Sequence, residues 1–134
     1  MNKFIKNKSI MDTILEKYDI TFANQITDGF IDKTVNGNNI FATYLSSMID
    51  LDIINQGIQN VEYYLNGGEY DSEKEYVSTE IFSAIIDNEN VSIFYSIGSD
   101  TFSPLFIISL VDFKEIIIAW RDFLLESPLN GTKI

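Results

Sequence analysis

The apolar residues of this chain change their spacing twice between residues 51 and 126, which limits the folds it can adopt. One stripe recurs every three or four residues and predicts a helix: Leu51, Ile54, Ile58, Val61 and Leu65. Residues 76–110 then carry β-branched and aromatic residues in extended patterns. Helical spacing returns over residues 113–124. A helix, a set of strands and a second helix therefore follow one another.

The first of these helices has recognisable ends. Asp50 or Asp52 can cap its amino terminus, and Gly67 suits the left-handed position that follows a helix. Gly57, inside the helix, weakens it by roughly 1 kcal/mol relative to alanine. Packing against another element must therefore hold this helix in place.

Three extended segments follow. Residues 76–86 are rich in strand formers, residues 87–90 (DNEN) form a turn, and residues 91–97 place Val91, Ile93, Tyr95 and Ile97 on one face. Residues 105–110 are almost continuously apolar, which predicts a central strand buried on both faces.

The closing helix has the clearest pattern. Asp112 and Glu115 have the spacing of a capping box. Its apolar face contains Phe113, Ile116, Ile117, Trp120, Phe123 and Leu124. Trp120, the only tryptophan, is in register with this face and is predicted to be a core anchor.

The amino-terminal part has weaker signals. A short helix is predicted to run from a cap at Ser9 to about Tyr18, and Asp28-Gly29 marks a turn. Residues 40–48 (IFATYLSSM) are predicted to form a strand. The whole chain, residues 1–134, is predicted to be one α+β domain. An antiparallel sheet of three to five strands would carry two to three amphipathic helices on one face.

The charge is concentrated in one part of the chain. The formal net charge is −11, and residues 50–100, here called the acidic segment, hold 11 carboxylates against one base, Lys74. Because crowded like charges repel each other and destabilise a compact state, a fold has no need of this excess. We interpret it as an acidic face for a basic partner.

Composition also excludes several kinds of chemistry. The chain has no histidine and no cysteine, so Ser–His and Cys–His catalysis and imidazole or thiolate metal sites are impossible. It has no Gly-rich phosphate loop and no apolar run long enough for a membrane span. We therefore expect a cytoplasmic protein without catalytic activity, cofactor or metal.

Four carboxylates alternate with other residues just after the first long helix: Glu69, Asp71, Glu73 and Glu75. In an extended chain alternate side chains lie about 6.6 Å apart, which would give a ladder of carboxylates. The segment lacks the Asp-x-Asp-x-Asp-Gly pattern of a calcium loop. A solvated loop that keeps a strand edge soluble is the alternative interpretation.

Four of the seven tyrosines lie beside these acids: Tyr63, Tyr64, Tyr70 and Tyr76. Tyrosine is enriched at protein interfaces, but Tyr64 and Tyr76 could instead join the core, which would leave two facing outward. The predicted partner-binding residues are Tyr63, Glu69, Tyr70, Asp71, Glu73, Glu75, Asp87 and Glu89.

Residues 50–126 resemble a type of small immunity protein from bacterial polymorphic toxin systems, including contact-dependent growth-inhibition systems. The similar features are YYLNGG at residues 63–68, the acidic strands, and SPLFIISLVDFKEIIIAWRDFLLE at residues 103–126. The resemblance implies a protein that neutralises a cognate toxin, often a nuclease, by binding its active site or an adjacent surface. It assigns no interface residue, because contact residues vary between members.

The charge and the resemblance agree, because nucleases are basic in order to hold phosphates. The expected partner is a basic protein toxin, with no direct contact to nucleic acid or membrane. Two alternatives stay open. The chain could be a nucleic-acid mimic that inhibits a DNA- or RNA-binding enzyme, its carboxylates standing in for phosphates. It could also be an enzyme or ligand binder that uses carboxylates or calcium.

Overall fold

A computed structural model of the chain describes residues 10–96 and 103–126. These residues contain four α-helices: α1 (Ile10–Lys17), α2 (Ile40–Ser46), α3 (Leu51–Leu65) and α4 (Leu110–Leu125). They contain five strands: β1 (Thr21–Thr27), β2 (Phe30–Asn36), β3 (Phe82–Ile86), β4 (Asn90–Tyr95) and β5 (Phe106–Ser109). The predicted α+β class is confirmed. None of the helices in the described ranges combines the length and the apolarity needed to cross a membrane.

The first two strands form an antiparallel hairpin that is a sheet of its own. The predicted turn at Asp28-Gly29 connects them, and both residues have positive φ, 52° and 84°. This is the conformation that a two-residue type I′ turn requires, and Asp-Gly is a favoured pair for it. The predicted cap at Ser9 lies outside the described residues.

The prediction of a strand over residues 40–48 is wrong, because helix α2 occupies most of this range. Asn39 starts the helix, its Oδ1 accepting a hydrogen bond of 3.0 Å from the backbone N–H of Ala42. The strand-forming side chains have helical spacing and are buried in the core: Phe41, Tyr44 and Leu45. A cap and core burial therefore outweigh the local β propensity.

The other three strands form an antiparallel meander in the order β3-β4-β5. Helix-facing side chains of this sheet are buried: Phe82, Ala84, Ile86, Val91, Ile93 and Ile108. The prediction that residues 105–110 form a central strand is wrong, because β5 is an edge strand and Ile107 is 54% exposed. Tyr95 is also partly open to solvent, and Ile97 lies outside the described residues.

The β-rich residues 76–86 do not form one strand. Residues 75–79, here called the edge segment, fold back against β3 and pair with it irregularly. The N–H of Val77 donates to the carbonyl of Ala84 at 3.1 Å, and the N–H of Thr79 donates to the carbonyl of Phe82 at 2.9 Å. The edge segment thus covers the free side of β3 without regular strand pairing.

Helix α4 supplies the centre of the core. Trp120 is fully buried, as predicted, and its indole N–H donates to the carbonyl of Met48 at 2.7 Å. The prediction that Asp112 caps this helix is wrong. Ser109 is the cap, its hydroxyl accepting a hydrogen bond of 3.2 Å from the N–H of Asp112.

Asp112 instead connects α4 to α1. Its Oδ2 accepts hydrogen bonds from the Lys17 ammonium at 2.8 Å and from the Tyr18 hydroxyl at 2.6 Å. Desolvation raises the pKa of Asp112, but the hydrogen bonds from Lys17 and Tyr18 outweigh it and hold the pKa below its ordinary value of 3.8. The ionised carboxylate therefore stabilises the fold.

Replacing Asp112 with asparagine is expected to lower the free energy of unfolding by about 1 kcal/mol at pH 7, because the charge-assisted part of both hydrogen bonds is lost. A group with a lowered pKa contributes stability above its unfolded pKa and loses it as the pH falls through its folded pKa. Urea unfolding should therefore show a constant difference from wild type at neutral pH. The difference in the free energy of unfolding should narrow below pH 3.8.

The matched control, Asp32→Asn, changes an exposed strand residue. An equal loss in both variants would contradict the prediction.

Candidate protein-binding surface

Both ends of α3 are fixed by local hydrogen bonds. Asp50 is the cap, its Oδ1 accepting from the N–H of Asp52 at 2.9 Å. At the other end Gly67 has φ +90°, the N–H of Gly68 donates to the carbonyl of Tyr63, and the N–H of Gly67 donates to that of Tyr64. These two bonds form a Schellman motif. The motif turns the chain back and sets the direction of residues 68–75, the acidic loop.

The edge segment rests directly on α3. At Gly57 an added Cβ would lie only 2.2 Å from Cγ2 of Val77, so a glycine is required for this approach. Asn60, a buried polar residue on the same helix, donates from Nδ2 to the carbonyl of Tyr76 at 3.2 Å. The hydroxyl of buried Tyr44 donates to the carbonyl of Val77. The core therefore fixes the segment that follows the acidic loop.

The acidic loop is not an extended ladder of carboxylates, and that prediction is wrong. Ser72–Lys74 forms a 3₁₀ turn, whose N-cap is Asp71. Oδ1 of Asp71 accepts from the N–H of Glu73 at 2.9 Å. Because a 3₁₀ turn has three residues per turn, alternate carboxylates no longer share one side. The hydroxyl of Tyr64 also bonds both the carbonyl of Asp71, at 3.1 Å, and its N–H, at 3.2 Å.

The single base of the acidic segment is folded onto the loop. Lys74 Nζ lies 5.3 Å from the ring centroid of Tyr63 and 3.9 Å from Oδ2 of Asp71. Tyr63 is half-buried, and its hydroxyl donates to the carbonyl of Glu69 at 2.9 Å. Its ring packs on Gly68, where an added Cβ would lie 2.4 Å away. Tyr63 thus helps to hold the loop in shape.

Two of the four clustered tyrosines face outward, the number anticipated, but one of them is Tyr76. Tyr70 is 71% exposed and Tyr76 is 52% exposed, whereas Tyr64 is buried. The hydroxyl of Tyr70 donates to Oε2 of Glu75 at 2.8 Å, and this hydrogen bond raises the pKa of Tyr70. Tyr70 is therefore an exposed aromatic residue whose position is set by an acid.

The turn between β3 and β4 brings a second acidic group to this region. Oδ1 of Asp87 accepts from the N–H groups of Glu89 and Asn90, both at 2.7 Å. Asp87 therefore shapes the turn, which is a common role for aspartate. The side chain of Glu89 is exposed.

The acidic loop and this turn meet around one open depression of about 540 Å³. It is lined by Tyr64, Gly68, Glu69, Tyr70, Asp87 and Asn88, and we call it the acidic depression. Three predicted partner-binding residues line it, Glu69, Tyr70 and Asp87. The other five do not: Tyr63, Asp71, Glu73, Glu75 and Glu89.

Gly68, Asn88 and the buried Tyr64 complete the depression and were not among the predicted contact residues. The pair Gly67-Gly68 was a usable signal for Gly68, since a second glycine after a helix indicates close packing. Nothing in the sequence singles out Asn88, whose position depends on where the turn lies relative to α3.

The described residues contain no group of three or more acidic, histidine or cysteine side chains arranged to hold a metal ion. No family model, curated protein or solved structure matches this chain. Its function is therefore inferred from the chemistry of the surface itself.

Proposed function

We propose that this chain is a non-catalytic immunity protein that binds and neutralises a cognate basic toxin domain, a nuclease domain being the best fit. The observation that carries the proposal is the acidic depression. Glu69 and Asp87 come from separate parts of the chain and line it together with the exposed ring of Tyr70. Carboxylates around an aromatic residue suit a protein surface rich in lysine and arginine.

The acids and the tyrosine would act at different stages of binding. Carboxylates attract a basic surface over a distance and speed encounter, up to about 10⁸–10⁹ M⁻¹s⁻¹ at low salt. An aromatic side chain that becomes buried in the complex slows dissociation. The loop is already ordered by the hydrogen bonds of Tyr63, Tyr64 and Asp71, so little conformational entropy would be lost on binding.

A nuclease is favoured as the partner because its active site must attract phosphate groups and is therefore basic. An acidic protein placed over or beside that site would exclude the nucleic acid both by charge and by volume. The partner to test first is a toxin domain encoded next to the gene for this chain. Co-expression of the two proteins should protect cells that the toxin domain alone kills.

Charge reversal tests the surface at Glu69, which lines the acidic depression, and at Glu73, which lies on the same acidic loop. Both side chains are exposed, whereas Asp71 and Asp87 hold turns and would confuse a binding loss with a folding loss. Glu69→Lys with Glu73→Lys should slow association with the toxin domain at low salt by about tenfold or more and flatten its salt dependence. Stopped-flow or surface-plasmon measurements over a salt series give both quantities.

The control pair, Asp32→Lys with Glu126→Lys, makes the same change of net charge at exposed positions that neither line the depression nor lie on the acidic loop. Equal slowing by the two pairs would mean that only total charge matters. An unchanged association rate for the first pair would overturn the assignment of the surface. Competition with duplex DNA for several unrelated DNA-binding proteins would support the nucleic-acid mimic instead.

A further inference from the structure

A second cavity, of about 440 Å³, lies between the connection that joins α2 to α3 and the turn that precedes β3. We call it the isoleucine groove. It is lined by Ser47, Met48, Ile49, Asp50, Ile53, Thr79, Glu80 and Ile81. None of these residues lines the acidic depression, and none was a predicted contact residue.

Three large apolar side chains of the groove are open to solvent. Ile49 is 68% exposed, Ile81 is 55% exposed and Ile53 is 41% exposed. Single exposed apolar residues are normal on any protein surface. Ile49 and Ile81 come from two separate connections and Ile53 from the first turn of α3. Around one cavity they form a shared apolar surface, which is typical of a binding site.

Hydrogen bonds from other elements hold both walls of the groove. The indole N–H of Trp120 donates to the carbonyl of Met48 at 2.7 Å, and the hydroxyl of Ser47 donates to that of Thr79 at 3.0 Å. The turn before β3 is closed by the hydrogen bond from Thr79 N–H to the carbonyl of Phe82. The walls that carry the isoleucines are therefore ordered before binding, which reduces the conformational entropy lost when a ligand binds.

The negative charge around the groove favours a basic ligand. Asp50 and Glu80 lie on its walls, and none of its eight lining residues is a lysine or arginine. We propose that the groove binds a protein segment in which an aliphatic or aromatic side chain is flanked by lysine or arginine. The apolar side chain would enter between Ile49 and Ile81, and the basic groups would face the two carboxylates.

A second copy of this chain fits less well. Each copy carries a formal net charge of −11, so two grooves brought together would place carboxylates against carboxylates. Like charges opposed across an interface disfavour association. The inference concerns a site separate from the acidic depression and holds whether or not the chain neutralises a toxin.

The probe for the test is a hexapeptide with blocked ends, GKLFKG, and its acidic counterpart is GELFEG. In an ¹H–¹⁵N NMR titration the basic peptide should shift the amide signals of Ile49, Ile53 and Ile81 in a saturable way. The acidic peptide should bind about tenfold more weakly or not at all. Ile49→Ser with Ile81→Ser should abolish the shifts produced by the basic peptide.

The matched control is Ile107→Ser with Val111→Ser, which removes two apolar residues that are 54% and 53% exposed elsewhere. This control should bind the basic peptide like the wild type. Equal binding of the two peptides, or shifts that persist in Ile49→Ser with Ile81→Ser, would overturn the proposal. Sedimentation that reveals a dimer lost only in the groove variant would assign the groove to a second copy and also overturn it.

Discussion

Replacing Trp120 with alanine is expected to lower the free energy of unfolding by about 3–5 kcal/mol, the largest effect of any single change considered for this chain. The side chain is fully buried and contacts the aromatic rings of Phe22 and Phe123, at centroid distances of 5.1 Å and 6.0 Å. Its removal leaves a cavity where α4 meets the β1–β2 hairpin. The measurement is equilibrium unfolding in urea, followed by circular dichroism.

Trp120→Phe separates packing from hydrogen bonding. Phenylalanine keeps an aromatic ring in the core but leaves the carbonyl of Met48 without the indole donor. We expect a loss of about 1–3 kcal/mol from this unpaired buried group. Because Met48 precedes the exposed Ile49, the amide signals of residues 48–50 should move more than those of the acidic loop. A Trp120→Phe variant as stable as the wild type would contradict the role given to this hydrogen bond.

The regular parts of the fold could be predicted from the sequence because their patterns are long. Helix α3 has fifteen residues and α4 has sixteen, so the apolar stripe repeats over four turns and dominates other signals. Helix α2 has only seven residues, and its phenylalanine and tyrosine favour strands in isolation. The cap at Asn39 and the burial of Phe41 decide its conformation, and burial depends on tertiary contacts that no local pattern contains.

The candidate site was predictable in composition but not in geometry. The sequence places most acids in one segment, and it places Tyr70 among them. That Asp87 comes beside Glu69 and Tyr70 depends on where the β3–β4 turn lies relative to the end of α3. The turn at Asp71 did have a local signal, because an aspartate side chain often accepts a hydrogen bond from the backbone N–H two residues later. The alternating acids around Asp71 obscured it.

The basic residues in the described ranges are all in contact with other side chains of the chain. Each one makes a contact within the chain: Lys17 with Asp112, Lys33 over the Phe123 ring, Lys74 with Asp71, Lys114 with Glu62 and Arg121 with Asp122. Among residues 10–96 and 103–126, therefore, no basic residue without a contact in the chain offsets the excess of acids. Lysine or arginine side chains of a partner would supply the positive charge that balances the excess of acids.

Replacing Gly57 with alanine is expected to destabilise the fold by about 2 kcal/mol, although alanine favours a helix by roughly 1 kcal/mol over glycine. The added Cβ would lie 2.2 Å from Cγ2 of Val77, which is a buried side chain. Strain should therefore exceed the gain in helix propensity. The control, Gln59→Ala, changes an exposed position of the same helix and should be close to neutral.

A double-mutant cycle gives the sharper test of this contact. Val77→Ala removes the methyl groups that oppose Gly57, so the new methyl of Gly57→Ala gains space in the double variant. We expect the double variant to be more stable than the sum of the single effects predicts, by about 1 kcal/mol or more. Additive effects, or a stabilising Gly57→Ala, would show that α3 does not approach the edge segment as closely as the structure has it. Because the edge segment continues the acidic loop, the amide signals of residues 75–79 should shift in Gly57→Ala and return toward wild type in the double variant.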